Sequence, residues 1–305
     1  MMVRSLCSHW KQPLYFDFDQ TMTREILFEA IRGVEEAGYR VVAIVSDLGA
    51  TNRKLLWTEK SLGGLGVSHD EAYFEHPNYP TRKIYTFADT PHLLKLLRNH
   101  IVDEGLRLPS GTVINKDVFL KLLAADSGEF RLAHKLELKH VQNKGQERQR
   151  VFLAAQLLSE RVGHAIAHCF GEQHAEEAAF VILVDQVFDT LNSRHPMDPK
   201  VHRSGFGMEH ALDQQYTCLM EFTRLMRESR VVGHRSLLPF QQGFIMTSCA
   251  LRGLYSTVTR PEFAMKYVLT SRLNQDCVEN FFSQVYFWKT LARISLSFAR
   301  VFHYR

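Results

Sequence analysis

The sequence predicts an α/β fold interrupted by a long helical insertion, and two patterns carry that expectation. Up to Asn99, strand-like and helix-like stretches alternate. From Asn99 to Tyr267 the apolar residues recur with helical period instead. Alternation marks a sheet covered by helices, whereas successive helical stripes mark a separate helical layer.

Pro13 to Phe18 reads as a short strand. A helix follows, with Thr23 as its N-cap, Leu27, Ala30, Ile31 and Val34 on one face and Gly38 closing it. Val41 to Asp47 is a continuous apolar run ending in an acid, the pattern of a parallel strand buried on both faces. An acid at the carboxyl end of such a strand is well placed for a ligand. Lys83 to Ala88 is a third strand, ending at Asp89 and leading into the helical run Pro91 to Asn99.

In the insertion, Val151, Ala154, Ala155, Leu158 and Val162 form one stripe, and Phe180, Leu183, Val184, Val187, Phe188 and Leu191 another. Pro196 and Pro199 punctuate a polar link, and a further helical run begins near Glu209. The last helix starts near Asn274, with Val278, Phe281, Phe282 and Val285 on one stripe. At about 100° per residue, Glu279 lies on the flank of that stripe and Asp276 nearly opposite its centre.

Composition narrows the class. The chain has 305 residues, 45% of them hydrophobic, and a net charge of +4, compatible with a nucleic-acid partner without indicating one. Its five cysteines (Cys7, Cys169, Cys218, Cys249, Cys277) include no Cys-x-x-Cys pair, so a reducing compartment is expected, with neither disulfide frame nor zinc finger. No apolar run reaches the ~18 residues of a membrane span, and the first residues carry no signal-peptide core. The expectation is a soluble intracellular protein. Gly63-Gly64-Leu65-Gly66 lacks the flanking strand and helix of a phosphate loop. His164, His168 and His174 have helical spacing but no accompanying glutamate motif, so buried or surface histidines are expected there.

Two families compete for the chemistry. Asp17-Phe18-Asp19-Gln20-Thr21 resembles the nucleophile motif of haloacid-dehalogenase-type phosphatases, which would make Asp17 the nucleophile and Asp19 the acid/base. In that reading Ser46 is the second-motif hydroxyl, and Asp185 with Asp189 the later pair of acids. No convincing Gly-Asp metal loop follows.

The second resemblance covers more of the chain. Leu273-Asn274-Gln275-Asp276-x-x-Glu279-Asn280-Phe281-Phe282-Ser283-x-Val285 resembles the catalytic helix of P-element-type transposases, the family that includes THAP-domain transposases. His9-Trp10-Lys11-x-Pro13-x-Tyr15-Phe16 resembles that family's third RNase H-like strand, and Val41 to Asn52 its strand ending in the second catalytic acid. Asp89 to Asn99 resembles the strand and helix that follow. Lys135-Leu136-x-x-x-His140-Val141, Val151 with Ala154-Ala155-Gln156, and Phe188-Asp189-x-Leu191-Asn192-Ser193-Arg194 resemble its GTP-binding insertion.

The resemblance implies an incomplete RNase H-like domain interrupted by a mostly helical GTP-binding insertion. The expected division is 1–104, 105–255 and 256–305. Asp47 and Glu279 are the implied catalytic acids and ligands of Mg2+. Lys135, Val151, Asp189, Asn192 and Asp276 are the implied GTP contacts, with Asp189 reading guanine and Asn192 sharing its helical face. One departure is Leu48-Gly49 after Asp47, where the family places glycine directly. The family's first acid belongs to a strand preceding His9-Trp10, so the expectations are a split sheet and little strand transfer. The relatives' zinc finger and coiled coil are not expected in this chain.

The basic tail 286–305 departs as well. It reads either as a cationic amphipathic helix or as a terminus set by truncation. A truncated or domesticated transposase of the nucleus is implied, with DNA and GTP as partners, a possible homo-oligomer and no membrane. The alternatives are the phosphatase and a non-catalytic GTP- and DNA-binding protein.

Overall fold

The computed structural model describes residues 1–15, 20–142 and 144–284. The chain forms two compact units, Met1–Gln20 with Gln275–Arg305, and Thr21–Asn274.

In the smaller unit, β1 (Met2–Arg4) and β2 (Lys11–Pro13) form an antiparallel hairpin in which Val3 faces Gln12. Ser5 shapes its turn: Oγ accepts from Cys7 N at 3.2 Å and Ser8 N at 3.0 Å, the hydroxyl-turn role serine plays well. Strand β2 lies earlier than the expected Pro13 to Phe18 and shares only Pro13 with it; Leu14 and Tyr15 are not strand, and 16–19, with Asp17 and Asp19, lie outside the described residues. The closing helix covers 276–284. It begins two residues later than expected, because Leu273 and Asn274 finish the preceding turn. Phe281 and Phe282 are exposed, at 37% and 48%, and contact each other edge-on at 5.9 Å. The expected buried stripe is therefore not formed among the described residues, and Val285 lies outside them.

The larger unit starts with α1 (Arg24–Glu36), where Thr23 Oγ1 accepts from Ile26 N and Leu27, Ile31 and Val34 are buried. Strands β3 (Ala43–Ser46), β4 (Tyr73–Glu75) and β5 (Lys83–Ala88) form a sheet of order β3-β5-β4. Between β3 and β4 lies α2 (Ala50–Trp57). Strand β3 runs parallel to β5, Val45 beside Phe87, and β4 is antiparallel. The apolar run Val41 to Asp47 predicts a parallel strand buried on both faces. It is half-buried throughout, and among the described residues it pairs with β5, which occupies the centre of the three strands.

Helix α3 (Thr90–Asp103) is started by Asp89, whose Oδ2 accepts from His92 N at 3.1 Å. Helix α3 is buried on nearly every side. Its polar face, Lys95, Arg98 and Asn99, meets the turn Gly145–Gln149: Arg98 Nη2 donates to Glu147 O at 2.9 Å and Arg148 O at 3.2 Å.

The larger unit continues with α4 (Lys116–Ala125), α5 (Lys139–Gln142), α6 (Val151–Leu157), α7 (Glu160–Phe170), α8 (Ala175–Leu191), α9 (Leu212–Glu228) and α10 (Pro239–Val258). Strands β6 (Leu106–Arg107), β7 (Val113–Ile114) and β8 (Arg230–Val231) add a small antiparallel sheet that helical periodicity did not suggest. The stripe Val151 to Val162 is two helices, because Ser159 interrupts it: Oγ accepts from Val162 N and so caps α7.

Helix α10 lies against β5. A Cβ on Gly253 would come within 2.4 Å of the Tyr85 ring, and one on Gly243 within 2.5 Å of Leu48, so both glycines are required by close approach. Thr247 Oγ1 accepts from Ala88 N at 3.0 Å and locks the contact. Among the described residues no helix is long and apolar enough to cross a membrane.

Candidate nucleotide and metal site

Asp47 follows the last residue of β3, and its carboxylate is held by its own turn. Oδ1 accepts from Gly49 N at 3.1 Å and from Asn52 Nδ2 at 2.6 Å. Leu48 is buried, while Gly49 presents its N–H to the acid; a Cβ there would lie 3.2 Å from Asp47 Oδ1. The Leu48-Gly49 departure thus has a local explanation: an apolar anchor is inserted and the glycine still approaches the carboxylate. Glu279 belongs to the other unit, exposed in the first turn of the closing helix, where Val278 N and Glu279 N both donate to Gln275 O. Among the described residues no three His, Cys, Asp or Glu side chains gather as a metal site.

Four of the five expected nucleotide residues lie in the larger unit, and Asp276 in the smaller. Lys135 is exposed in the loop after α4. Asp126, at the end of α4, builds that loop: Oδ1 accepts from Leu132 N at 2.8 Å and Oδ2 from Ala133 N at 2.7 Å. Arg131 straps it, donating to Asp126 O at 3.0 Å and Leu136 O at 2.7 Å. Buried His140 then joins α5 to α6 through Gln156, 2.9 Å away, and Val151 opens α6 half-buried. His134, beside Lys135, meets Arg161 at the start of α7 at 2.7 Å.

Asp189 lies in the last turn of α8, one turn after Asp185, and both side chains are only 13% exposed. Arg203 Nε donates to Asp189 Oδ2 at 2.8 Å. Lys200 donates to Glu160 at 2.6 Å and stands 3.6 Å from Asp185. Burial pushes Asp185 up to about 6, with Asp189 adding to the shift and Lys200 opposing it. Burial also raises Asp189, against the pull of Arg203.

Asn192 does not share the helical face of Asp189. It is the C-cap, its N–H donating to Asp189 O at 3.3 Å. Its Oδ1 accepts from Asn274 Nδ2 at 3.3 Å, at the point where the chain leaves this unit. Beside it, buried Thr270 Oγ1 accepts from Ser193 N at 2.8 Å and donates to Thr190 O at 2.7 Å.

Lys200, Arg203, Asn274 and the Ser193–Thr270 lock went unnoticed in the sequence as parts of this site. Nothing in local spacing shows that the link after Pro199 folds back onto α8. Asp185 and Asp189, the acids of the phosphatase alternative, sit on a helix in ion pairs. His164 and His174 face Glu160 and Glu177, at 3.7 Å and 2.8 Å.

The chain is similar to known proteins. A family model described as TNP-like, RNase H N-terminal domain matches residues 1–58, and one described as TNP-like, GTP-binding insertion domain matches residues 91–204. The Transposable element P transposase of Drosophila melanogaster is 37% identical over 290 residues, 93% of this chain and 37% of the relative. The solved Drosophila P element transposase strand transfer complex matches with a TM-score of 0.85 at 37% identity, covering 93% of this chain and 63% of that one. The chain belongs to the P-element-type transposase family.

The DNA transposase THAP9 of Homo sapiens is a more distant relative, 24% identical over 308 residues, 92% of this chain and 32% of the relative. The chain spans about a third of the length of these two curated relatives. Its fold is an RNase H-like domain with a GTP-binding insertion. Within this P-element-type chain, Asp47 falls in the RNase H-like match, and Lys135, Val151, Asp189 and Asn192 in the GTP-binding match. Asp276 and Glu279 lie beyond both.

Proposed function

We propose that the chain binds GTP on the face formed by the Lys135 loop and the end of α8, as part of a nuclear, DNA-cutting and DNA-joining protein. The observation that carries this is Asp189: an acceptor at the rim of a buried helix end, within the stretch matching a GTP-binding insertion. An ionised carboxylate accepts from both guanine N1–H and the 2-amino group, a pair of donors that adenine does not present. Lys135 supplies a cation for phosphate, Val151 an apolar contact for the base, and Asn192 a polar neighbour. Asp276 is assigned to the same ligand. Calorimetry with GTP and ATP tests the assignment. We expect GTP to bind more tightly than ATP and Asp189→Asn to abolish the preference; equal affinities in the parent chain would refute it.

Asp47 and Glu279 are the proposed Mg2+ ligands, their hard carboxylate oxygens suiting that ion. Bound Mg2+ would activate the attacking oxygen and stabilise the leaving one in strand cleavage or joining. Asp47's own contribution is a carboxylate already oriented by Gly49 and Asn52. The division 1–104, 105–255 and 256–305, an amino-terminal THAP domain in the whole protein and self-association belong to the same proposal. Mg2+-dependent cutting of transposon-end DNA, lost in Glu279→Gln, supports the catalytic reading. GTP binding without any cutting points to a binding role alone.

A further inference from the structure

We propose that Arg203 is a positioning residue for the nucleotide site: it keeps the Asp189 carboxylate ionised and turned to accept from guanine. This deepens the GTP reading above and rests on it.

Asp189 and Asp185 are four residues apart on α8, so two acids share one helix face, an arrangement that is destabilising when both are charged. Both are largely withdrawn from water, which favours the protonated form of each. A protonated Asp189 would turn one of its two acceptors into a donor and meet guanine N1–H with O–H. The site therefore needs a charge that holds the proton off Asp189.

Arg203 supplies it from a built position. It ends the short turn Val201–Arg203, whose backbone is fixed from two sides. Gln215 on α9, fully buried, donates to Val201 O at 3.3 Å and to Ser204 O at 2.9 Å. His202 Nδ1 meets Thr190 Oγ1 on α8 at 3.3 Å. A guanidinium mounted this way loses less freedom on pairing than one on a mobile surface loop. Its Nε occupies one lone-pair position on Oδ2 and leaves the others for a base.

Lys200 completes the division of labour by standing between Asp185 and Glu160. Among the described residues, the charged groups acting on Asp189 are Arg203, Lys200 and His202 on the returning link and Asp185 on its own helix, while Glu160 at the start of α7 pairs with Lys200. Burial, with the Asp189 charge adding to it, pushes Asp185 up to about 6.

The test is GTP titration of the full chain and of Arg203→Met and Arg203→Lys between pH 6 and 8.5, each affinity divided by the parent's at the same pH. Arg203→Met should lose about ten-fold at pH 7 and recover as rising pH ionises Asp189, while Arg203→Lys stays near the parent throughout. The advantage of GTP over ITP, which lacks the 2-amino group, should shrink in Arg203→Met at pH 7. A loss that is the same at every pH, or no loss, overturns the role of Arg203. Thermal melts of each variant separate an unfolded protein from a weakened site, and Arg203→Lys keeps the cation if Arg203→Met does not fold. Failure of the parent chain to bind GTP at any pH overturns the site reading and this inference together.

Discussion

The two carboxylates with assigned chemistry in the larger unit, Asp47 and Asp189, are held in opposite ways. Asp47 sits at the end of a half-buried edge strand and is fixed by neutral donors two and five residues along its own turn. Asp189, its side chain 13% exposed, is fixed by a cation that arrives from fourteen residues away, on a link braced by α8 and α9. A carboxylate intended for a metal needs an exposed, charged oxygen set, which local neutral bonds orient without neutralising. One intended for a base needs a defined protonation state inside a drier site, which a distant charge can set. The difference follows from the ligand each would meet.

If distant contacts hold the nucleotide face, cutting one of them should cost most. Thr270→Val preserves shape but leaves Ser193 N without its acceptor and Thr190 O without its donor, all buried. We expect a loss of about 2–4 kcal/mol in chemical denaturation, and a weakened GTP site with it. A loss below about 1 kcal/mol would mean that α8 and the 270–272 turn are held by packing alone.

The acid pair gives the next effect, with a definite sign. Asp185 holds its proton more tightly folded than unfolded, since its folded value is about 6 against an ordinary 3.8. Its contribution to stability is therefore present at acid pH and is lost as the pH rises from about 4 to about 6, at most ~3 kcal/mol. Asp185→Asn removes that loss, although it also takes a partner from Lys200. We expect the variant to be about 1–2 kcal/mol more stable than the parent at pH 7.5 and level with it near pH 4. A variant destabilised at pH 7.5 would show that the Lys200 pair outweighs the burial of the charge.

The same division of local from distant explains what was legible in the residues. Thr23, Asp89 and Ser159 start helices by capping rules that need only neighbouring residues, though Ser159's break in the Val151–Val162 stripe was read as continuity. Strand β5 and the α8 stripe were visible because burial imprints its period on the sequence. Asp47 was legible for the same reason, as an acid ending an apolar run, but the place of β3 in its sheet was not. Sheet order depends on which strands pair, and an edge strand can carry the apolar pattern of a central one. The partners of Asp189 were invisible because Lys200 and Arg203 look like ordinary charges on a polar link. The family resemblance names the acid; the fold adds the cation that pairs with it.

The smallest expected effect tests the local half of the contrast. Asn52→Ala removes a 2.6 Å bond to Asp47 Oδ1 on a half-buried turn, while Gly49 N still donates. Loss of one partly exposed hydrogen bond predicts about 0.5–1 kcal/mol and no change in GTP affinity. Its effect should fall instead on Mg2+: with one orienting donor gone, Mg2+ binding measured by calorimetry should weaken roughly two- to ten-fold by the scale of outer-contact losses at metal sites. Equal damage to GTP binding and to the Mg2+ response would mean that the two carboxylates belong to one coupled site, and the contrast between them would fall.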